Sequence, residues 1–547
     1  MSKVYPVGIL LMLGVGLSLV AAAMVATSQV SLAENKSTLV IDERAETASF
    51  TIASIEVVVN PIFDLEQDDG WIYRTANKLH IDTKPKIILR LLPFREGQTV
   101  NQKQLQEAER ILRRQKFLRE AKIVAKTDPL KGTAQLQVQT WENWTLFPTF
   151  SFKSEGGEDD LSYGIKDDNF LGLGIGADLI YFSEEDRSGY VLSLSSEAIN
   201  EDYLRASIRL ADNSDGERVA IKLDKPFYRL DERHAAGVAL DSHRQEVRID
   251  ANEQEVNRFD SNRQFSQAFF GYSTGITDKG IFRWLGGITH DKYDFDPLTS
   301  TSVLPENRDL TYPWLAFSYQ QDKFTTTKNL YLLAKTEDVQ LGWHHYLQLG
   351  YNLETSYRDG GLVWQLDSGY FGVWNQQHWY RYGLSGNGVH SSDDISNSYF
   401  SIFYEHFYRT NAFRSWYLKA QYSGADNPYV DRPLSLGGET GLRGYPNEYQ
   451  HGKRQWLINL EKRFYPDINI YKLADVAFVG FIDVGRNFGE TPYPNQENSA
   501  LASAGLGLRL FLTRSSGRNV ININFSQPLN SDFVKDFDVS VIVRTRF

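Results

Sequence analysis

An arginine on a glycine-rich loop is the part of the sequence best suited to form a specific internal site. The stretch 436–445 reads LGGETGLRGY, in which glycines precede Arg443 and Gly444 follows it directly. Glycine tolerates positive φ and close backbone approach, so this run predicts a tight, shaped loop. A buried arginine needs a carboxylate partner, because an unpaired buried charge is costly. Glu461 and Asp483 follow in strand-like segments, and we predict that all three side chains meet inside a membrane barrel.

Other groupings of reactive side chains are weaker candidates. A hydrolase-like set could be drawn from Ser385, His390, Asp393 and Asp394. No G-x-S-x-G motif occurs there, so a polar surface loop is the preferred interpretation. His344 and His345 are adjacent on a predicted strand and point to opposite faces, which prevents joint metal binding. We therefore expect no catalytic residue, no metal site and no cofactor, and the chain is not predicted to be an enzyme.

The N-terminal segment predicts export from the cytoplasm. Lys3 precedes an apolar run over residues 7–26, and Ser31-Leu32-Ala33 supplies a small-residue cleavage site. This order is typical of a secretory signal, predicted here over residues 1–33, although the run is also long enough for a membrane anchor. The chain has no cysteine, which excludes disulfides and thiolate metal sites. Its net charge of −11 argues against nucleic-acid binding, which favours a basic face.

Between the signal and the long C-terminal region, the pattern predicts one small α+β domain. Residues 34–49 are polar and charged and are expected to be a flexible lead-in. The domain itself, residues 50–142, should follow the order β-α-α-β-β. Its expected elements are a strand at 50–59, helix-compatible segments at 71–79 and 86–92, a helix after Gly97, and strands at 121–125 and 134–138. Asn101 and Gln104 predict a capping box at the start of that third helical segment.

From residue 143 to residue 547, helical periodicity nearly disappears and short alternating segments recur. Alternation is clearest in the last five segments, where one face is apolar and the other carries Glu461, Arg463, Asp483, Arg509, Arg544 and Arg546. A charged face suits a wet lumen, so we predict a closed antiparallel transmembrane β-barrel of about sixteen and possibly up to twenty strands. A soluble sandwich would instead turn its apolar face inward. Aromatic residues are expected in girdles at the membrane interfaces, among them Trp364, Tyr370, Trp374, Trp379 and Tyr380.

The order of these parts resembles the BamA/TamA-type superfamily of outer-membrane assembly and translocation barrels, also called the bacterial surface antigen family. The resemblance rests on LRGY at 442–445, the strand at 459–461, and FIDVG at 481–485, which matches the family pattern F-x-D-x-G. It implies that the small domain is a periplasmic POTRA domain and that Arg443 binds Asp483 and Glu461 inside the lumen. The loop expected to enter the lumen spans residues 434–452. The positions implied to lock this loop are Arg443, Gly444, Tyr445, Glu461, Phe481, Asp483 and Gly485.

The C-terminal segment resembles the targeting strand of outer-membrane proteins, with Val543, Thr545 and Phe547 as its alternating positions. The chain departs from the family in having room for one POTRA-like domain, whereas related members carry three or five. Strand 147–153 is expected to pair with the terminal segment 538–547. A weak pairing at that junction would allow it to open sideways for a client protein.

The resemblance implies a protein of the bacterial outer membrane that assists insertion or translocation of proteins there. Its expected partners are outer-membrane lipids and unfolded client proteins, with no nucleic acid. An exposed sheet edge of the small domain could receive an extended client by strand addition. Two alternatives remain open from the sequence. One is a secretion pore dedicated to a single partner protein, and the other is a passive outer-membrane channel.

Overall fold

The computed structural model describes residues 49–544 except 65–69, 129, 156–157, 184–186, 253, 354–359, 392–395, 494 and 517–519. The predicted signal at 1–33 lies outside the described residues, as does nearly all of the predicted lead-in. Thr545 and Phe547 of the predicted targeting strand also fall outside them. No helix in the described part of the chain is long and apolar enough to cross a membrane.

In its described residues, the small domain consists of a four-stranded sheet and three helices. Its elements are β1 (Ser49–Asn60), α1 (Trp71–Leu79), α2 (Pro85–Leu91), β2 (Thr99–Asn101), α3 (Gln102–Arg113), β3 (Leu118–Asp128) and β4 (Thr133–Glu142). The strand order is β2-β1-β4-β3, with β1 and β4 parallel. The capping box of Asn101 and Gln104 is present at the start of α3. The helix predicted after Gly97 is α3, whereas the short strand β2 was not predicted. The order β-α-α-β-β is therefore incomplete, because β2 and α3 lie between α2 and β3.

The core of the small domain continues into the connections of the large sheet. Ile88, Leu105 and the other buried apolar side chains of the domain form one cluster with Tyr203 and Tyr228. The two tyrosine rings stack with centroids 3.9 Å apart. Their hydroxyls donate hydrogen bonds to the carbonyl oxygens of residues 92 and 91, at 2.7 and 3.1 Å respectively. The small domain therefore rests directly on one end of the large sheet.

The large sheet is antiparallel and contains twenty strands among the described residues. In chain order they are β5 (Leu146–Glu155), β6 (Glu158–Asp167), β7 (Ile175–Ser183), β8 (Ser188–Ser196), β9 (Arg205–Asn213), β10 (Gly216–Lys225), β11 (His234–Ala251), β12 (Gln254–Thr277), β13 (Gly280–Pro297), β14 (Arg308–Gln320), β17 (Gly342–Asn352), β18 (Gly361–Val373), β19 (His378–Ser391), β20 (Asn397–Asn411), β21 (Arg414–Asp426), β24 (Arg454–Ile470), β25 (Ala474–Phe488), β26 (Leu501–Leu512), β27 (Val520–Pro528) and β28 (Asp538–Arg544). Two separate hairpins interrupt this series. They are β15 (Phe324–Thr327) with β16 (Glu337–Gln340), and β22 (Leu434–Leu436) with β23 (Gln450–Gly452).

The sheet curls until its last strand meets its first. Within the described residues, β28 pairs with β5 at one position, Val541 opposite Ser154. By contrast, β5 pairs with β6 over ten residues and β27 pairs with β28 over seven. We call the contact between β5 and β28 the seam. The seam is the narrowest strand pairing described in the sheet.

Alternation along the last strands, β24 to β27, separates an inner, buried face of the sheet from an outer, more exposed face. On β24, Asn459, Glu461 and Arg463 are buried, whereas Ile458 and Leu460 are exposed. This is the division predicted for the last strands, because successive side chains of a strand point to opposite faces.

The predicted aromatic girdle contains one misplaced residue. Trp379 pairs with Phe407 and lies buried on the inner face. The adjacent Tyr380 lies on the outer face with Tyr370, their ring centroids 6.1 Å apart. The assignment of Trp379 to a membrane interface is therefore wrong, because an apolar cluster inside the sheet covers this side chain.

Candidate functional site

The site is built on the loop between β21 and β24, residues 427–453. The hairpin of β22 and β23 forms its stem, and the tip at 437–449 folds onto the inner face of the sheet. At the tip, φ is +110° at Gly441 and +85° at Gly444. A Cβ added at Gly444 would lie 3.0 Å from the Cβ of Ser526. Positive φ and close packing together explain why glycine occupies position 444.

The tip carries Arg443 into a fork of two carboxylates. Its Nε and Nη2 donate to the two carboxylate oxygens of Asp483, each at 2.7 Å, and its Nη1 donates to Oε1 of Glu461 at 2.8 Å. The guanidinium carbon lies 3.7 Å from the ring centroid of Phe481. Asp483 is completely buried. A bidentate pair on a buried carboxylate, with an aromatic ring beneath the cation, is both strong and directional.

Strand register explains how the carboxylates come together. Asn459 of β24 lies opposite Asp483 of β25, and Glu461 lies opposite Phe481. All four positions have the same parity and therefore share the inner face. The structure thus brings together Arg443, Glu461 and Asp483, the group expected from the sequence. We call these three residues the loop lock.

Asn459 is a part of the site that the sequence interpretation missed. Its side-chain nitrogen donates to Oδ1 of Asp483 at 2.7 Å and to the carbonyl oxygen of Gly441 at 2.8 Å. It therefore holds the carboxylate and the loop backbone at the same time. The available signal was its parity, since Asn459 precedes Glu461 by two residues on the same face.

Glycines on the strands that face the loop leave space for the ring of Phe481 and for the stem of the loop. A Cβ at Gly505, which was not among the predicted site residues, would lie 2.5 Å from Cζ of Phe481 and 2.2 Å from a backbone oxygen. A Cβ at Gly485 would lie 3.1 Å from Leu457 and 3.2 Å from Leu436. Gly505 therefore admits the ring beneath the arginine, and Gly485 admits the loop stem.

Apolar packing and Tyr445 fix the rest of the tip. The buried cluster consists of Leu436, Leu442, Tyr445, Tyr449, Leu457 and Leu501. The hydroxyl of Tyr445 donates to the carbonyl oxygen of Ala502 at 3.1 Å. Tyr445 is thus buried between the loop and the neighbouring strand β26, which explains an aromatic residue directly after the lock.

Glu461 also belongs to a longer chain of charges. Its Oε2 accepts a hydrogen bond from Nε of Arg463 at 2.9 Å, and Nη1 of Arg463 donates to the carbonyl oxygen of Leu330 at 3.0 Å. Leu330 belongs to the connection between β14 and β17, far from the loop in sequence. Each carboxylate oxygen of the loop lock accepts from a cation or an amide, an arrangement suited to holding the loop in place.

The remaining predicted positions are dispersed. Val543 lies in β28 opposite Ile521. Ser385 and His390 lie on β19 without a register shift between them, so their odd spacing places them on opposite faces. Asp393 and Asp394 lie outside the described residues.

One group in the small domain has side chains that metals accept. Ligand atoms of His80, Asp82 and Glu142 lie within 4.8 Å of one another. His80 Nε2 is 2.5 Å from Oε2 of Glu142, and the N–H of Thr83 donates to Oε1 at 2.7 Å. Burial, followed by the nearby Glu142 carboxylate, raises the pKa of Asp82. Both oxygens of Glu142 have protein partners, so the group ties the segment after α1 to the end of β4.

Comparison with protein-family models and with curated proteins gives no match. Among solved structures, the chain is similar to BamA from Haemophilus ducreyi lacking POTRA domains 1–3, with 12% identity and a TM-score of 0.40, over 90% of this chain and 84% of that chain. It is also similar to CdiB from Escherichia coli, with 14% identity and a TM-score of 0.44, over 99% of both chains. CdiB from Acinetobacter baumannii gives 12% identity and a TM-score of 0.42, again over 99% of both chains. Likeness at these values carries no function over to this chain.

Proposed function

We propose that this chain is an integral β-barrel of the bacterial outer membrane and that it assists the insertion or translocation of proteins there. The small domain is then a periplasmic POTRA-like domain, and the sheet closes as a barrel at the seam. The observation that carries the proposal is the seam. Among the described residues, one residue pair joins β28 to β5, whereas the other neighbouring strands of the sheet pair over at least seven residues. A weakly paired strand end exposes backbone groups that a client strand can use.

The surface of the sheet suits a bilayer. Leu315 is 75% exposed and Leu506 is 69% exposed, and both belong to strands whose inner faces are polar or packed. Exposed apolar residues on one face of a closed sheet, with charged residues on the other, are the pattern of a membrane barrel. This arrangement supports a location in the outer membrane, since barrels with a periplasmic domain occur there.

The edge of the small domain offers a second place for strand addition. β3 pairs with β4 on one side, and part of its other side is capped by side chains of α3. The N–H of Ile123 donates to Glu109 at 2.7 Å, and Arg113 donates to the carbonyl oxygen of Ala121 at 3.3 Å. From Ala125 onward, no further strand pairs with β3 within the described residues. A client strand would therefore add at residues 125–128.

Proline substitution tests this edge. Because the N–H of Ile123 points away from β4, the N–H of Ala125 points the same way. Ala125→Pro removes that donor, whereas Ala125→Gly keeps it. Cross-linking of unfolded outer-membrane proteins to the full chain should fall with proline and persist with glycine. Equal cross-linking in both variants would exclude strand addition at this edge.

The seam gives the decisive experiment. The chain has no cysteine, so Ser154→Cys with Val541→Cys creates one possible cross-strand disulfide, with each single variant as its control. We expect depletion of the protein in its native cell to lower many outer-membrane barrel proteins. Wild-type protein and the single variants should restore them, and the double variant should do so only under reducing conditions.

The outcomes separate the candidate functions. Loss of one exported protein from the medium would indicate a dedicated secretion pore. An unchanged outer membrane and medium after depletion would refute the proposed function. A passive channel is less favoured, because connections from both ends of the sheet pack against its inner face.

A further inference from the structure

The connection between β14 and β17, residues 321–341, differs from its neighbours at the same end of the sheet. That end is the one where the small domain sits, since β5 starts there directly after β4. Most of the other connections there are short, such as residues 374–377 and 412–413. Residues 321–341 contain the separate hairpin of β15 and β16. We call this segment the inner hairpin.

The small domain holds the base of the inner hairpin. Nε and Nη2 of Arg113, on α3, donate to the two carboxylate oxygens of Asp338 at 2.9 and 2.6 Å. Thr336 donates to Glu120 at 3.1 Å. The guanidinium of Arg110 lies over the ring of Phe324, 3.8 Å from its centroid. A charged, directional contact therefore couples α3 to the hairpin.

The tip of the inner hairpin is buried inside the sheet. Leu330, Leu332 and Leu333 are almost completely buried. They pack in two clusters whose wall residues come from eight neighbouring strands, β18 to β21 and β24 to β27. Those wall residues are Phe371, Trp379, Phe407, Tyr417, Tyr465, Ala477, Phe511 and Val520. Apolar side chains on the inner face of a barrel need such cover, because an open lumen would expose them to water.

Polar contacts fix the direction of the tip. The hydroxyl of Tyr331 donates to Glu405 at 2.9 Å, and Arg409 donates to the hydroxyl of Thr327 at 2.7 Å. Within the hairpin, Glu337 accepts the backbone N–H groups of residues 330 and 331 at 2.8 and 2.9 Å. Burial raises the pKa of Glu337, and these N–H groups oppose that rise. The hairpin is therefore a shaped element with partners on the wall.

We infer that the inner hairpin is a plug that closes the small-domain end of the barrel, and that the small domain controls it through Arg113. When α3 moves, one of two things must happen. Either the hydrogen bonds between Arg113 and Asp338 break, or the inner hairpin moves with α3. A client engaging the small domain would thus open the lumen it is to use. The inference rests on the sheet being a closed barrel, as proposed above, and holds for an assembly factor and for a secretion pore alike.

Conductance of the purified full chain in planar lipid bilayers tests the plug. We expect wild-type protein to be mostly closed. Replacement of residues 328–336 by a short glycine linker should give steady, large openings. Asp338→Asn should raise the open fraction roughly tenfold or more, the factor expected for loss of a charge-assisted pair. Asp278→Asn, in the exposed connection at the same end, removes the same charge and should change nothing.

A reversible cross-link tests the control by the small domain. Glu120→Cys with Thr336→Cys joins positions whose side-chain oxygens lie 3.1 Å apart, in a chain with no other cysteine. The oxidised protein should show no openings, and reduction should restore them. Oxidised protein that opens like wild type would overturn the control by the small domain.

Folding is checked by the shift in gel mobility on heating, which reports an intact barrel. A folded variant lacking 328–336 that conducts no more than wild type would overturn the plug. Conductance needs no client, so a failure of the proposed function leaves these results unchanged. Loss of client assembly with normal gating would refute the function and leave the plug standing.

Discussion

Replacing Arg443 by alanine should release the loop from the inner face. The side chain makes three charged hydrogen bonds, two of them to the completely buried Asp483. After the substitution, Glu461 keeps Arg463 as a partner, whereas the side-chain partner left to Asp483 is the amide of Asn459. The loss of stability therefore comes mainly from Asp483, a buried carboxylate that no longer has a cationic partner.

The size of the effect follows from that uncompensated charge. Breaking one side of a buried pair costs roughly 3–5 kcal/mol. At about 1.4 kcal/mol for each factor of ten, the equilibrium between docked and undocked loop should shift by roughly 100-fold or more. Arg443→Lys should be milder, because a lysine keeps the charge but cannot bridge two carboxylates with a fork.

Limited proteolysis and gel mobility measure the release. Chymotrypsin, whose aromatic and leucine sites in the loop are left in place by these substitutions, should cut the alanine variant within residues 427–453 faster than it cuts the wild type. The folded form of the variant should also unfold on gels at a lower temperature. Arg432→Ala is the matched control, because Arg432 lies on the same loop with a half-exposed side chain. Exposed pairs contribute about 0–1 kcal/mol, so this control should behave like the wild type.

A second substitution isolates the charge itself. Asp483→Asn in the Arg443→Ala background removes the stranded carboxylate, so the double variant should lose less than the sum of the two single losses. Two results would refute the reasoning. One is an alanine variant as resistant to chymotrypsin and heat as the Arg432→Ala control, and the other is strict additivity of the two substitutions.

Three further predictions concern the small domain and the wall. Burial raises the pKa of Glu107, whose carboxylate accepts the backbone N–H of Leu230, in the connection between β10 and β11, at 2.7 Å. The folded carboxyl then holds its proton more tightly than the unfolded one. The contribution of Glu107 to folding stability is greatest below the ordinary pKa of a glutamate, and it is lost as pH rises through the raised pKa of the folded state. Glu107→Gln should therefore flatten the pH dependence of proteolysis of the full chain. Gly505→Ala should destabilise the barrel by about 1–3 kcal/mol in thermal unfolding, because its Cβ meets Phe481 at 2.5 Å; Gly480→Ala, with its nearest contact at 3.8 Å, should be neutral. Tyr203→Phe removes a 2.7 Å hydrogen bond from the large sheet's connection to the small domain. This should cost about 1 kcal/mol of stability, so protease should cut the small domain faster.

The faces of the last strands could be predicted because strand side chains alternate with a fixed period. On β27, Asn522, Asn524 and Ser526 are buried on the inner face, and Phe525 is exposed, as the alternation predicts. The same parity placed Glu461 and Asp483 on one face. Their meeting with Arg443 was expected from the glycine-rich loop and from the cost of an unpaired buried charge.

The supporting residues of the site could not be predicted, because they depend on packing across strands. Gly505 and Phe481 lie opposite each other on β26 and β25. In the sequence, Gly505 is one of two glycines on an alternating strand. Its role appears only when the ring of Phe481 occupies the space that a Cβ would fill. The register between β25 and β26 therefore decides which glycine leaves space for the ring of Phe481.

The inner hairpin escaped prediction for a related reason. Its threonines at 325–327 have the β-branched character of an ordinary barrel strand. Trp379 is expected from the sequence in an aromatic girdle at the membrane interface, whereas the pattern makes no assignment for Leu330. Burial inside the sheet reverses the assignment of Trp379. An apolar residue of a barrel faces lipid unless another apolar segment fills the lumen, and that condition cannot be read from local sequence.

The chain of charges on the sheet wall holds the two inner segments through different kinds of contact, and this difference matches their proposed roles. Arg443 is bound by two carboxylates that bear full opposite charges, so the loop should stay docked. Arg463 donates to the neutral carbonyl oxygen of Leu330 in the inner hairpin, and it keeps Glu461 when that hydrogen bond is lost. If the inner hairpin leaves, Arg463 therefore stays paired with Glu461. The same ionic chain can therefore hold a permanent lock and a removable plug.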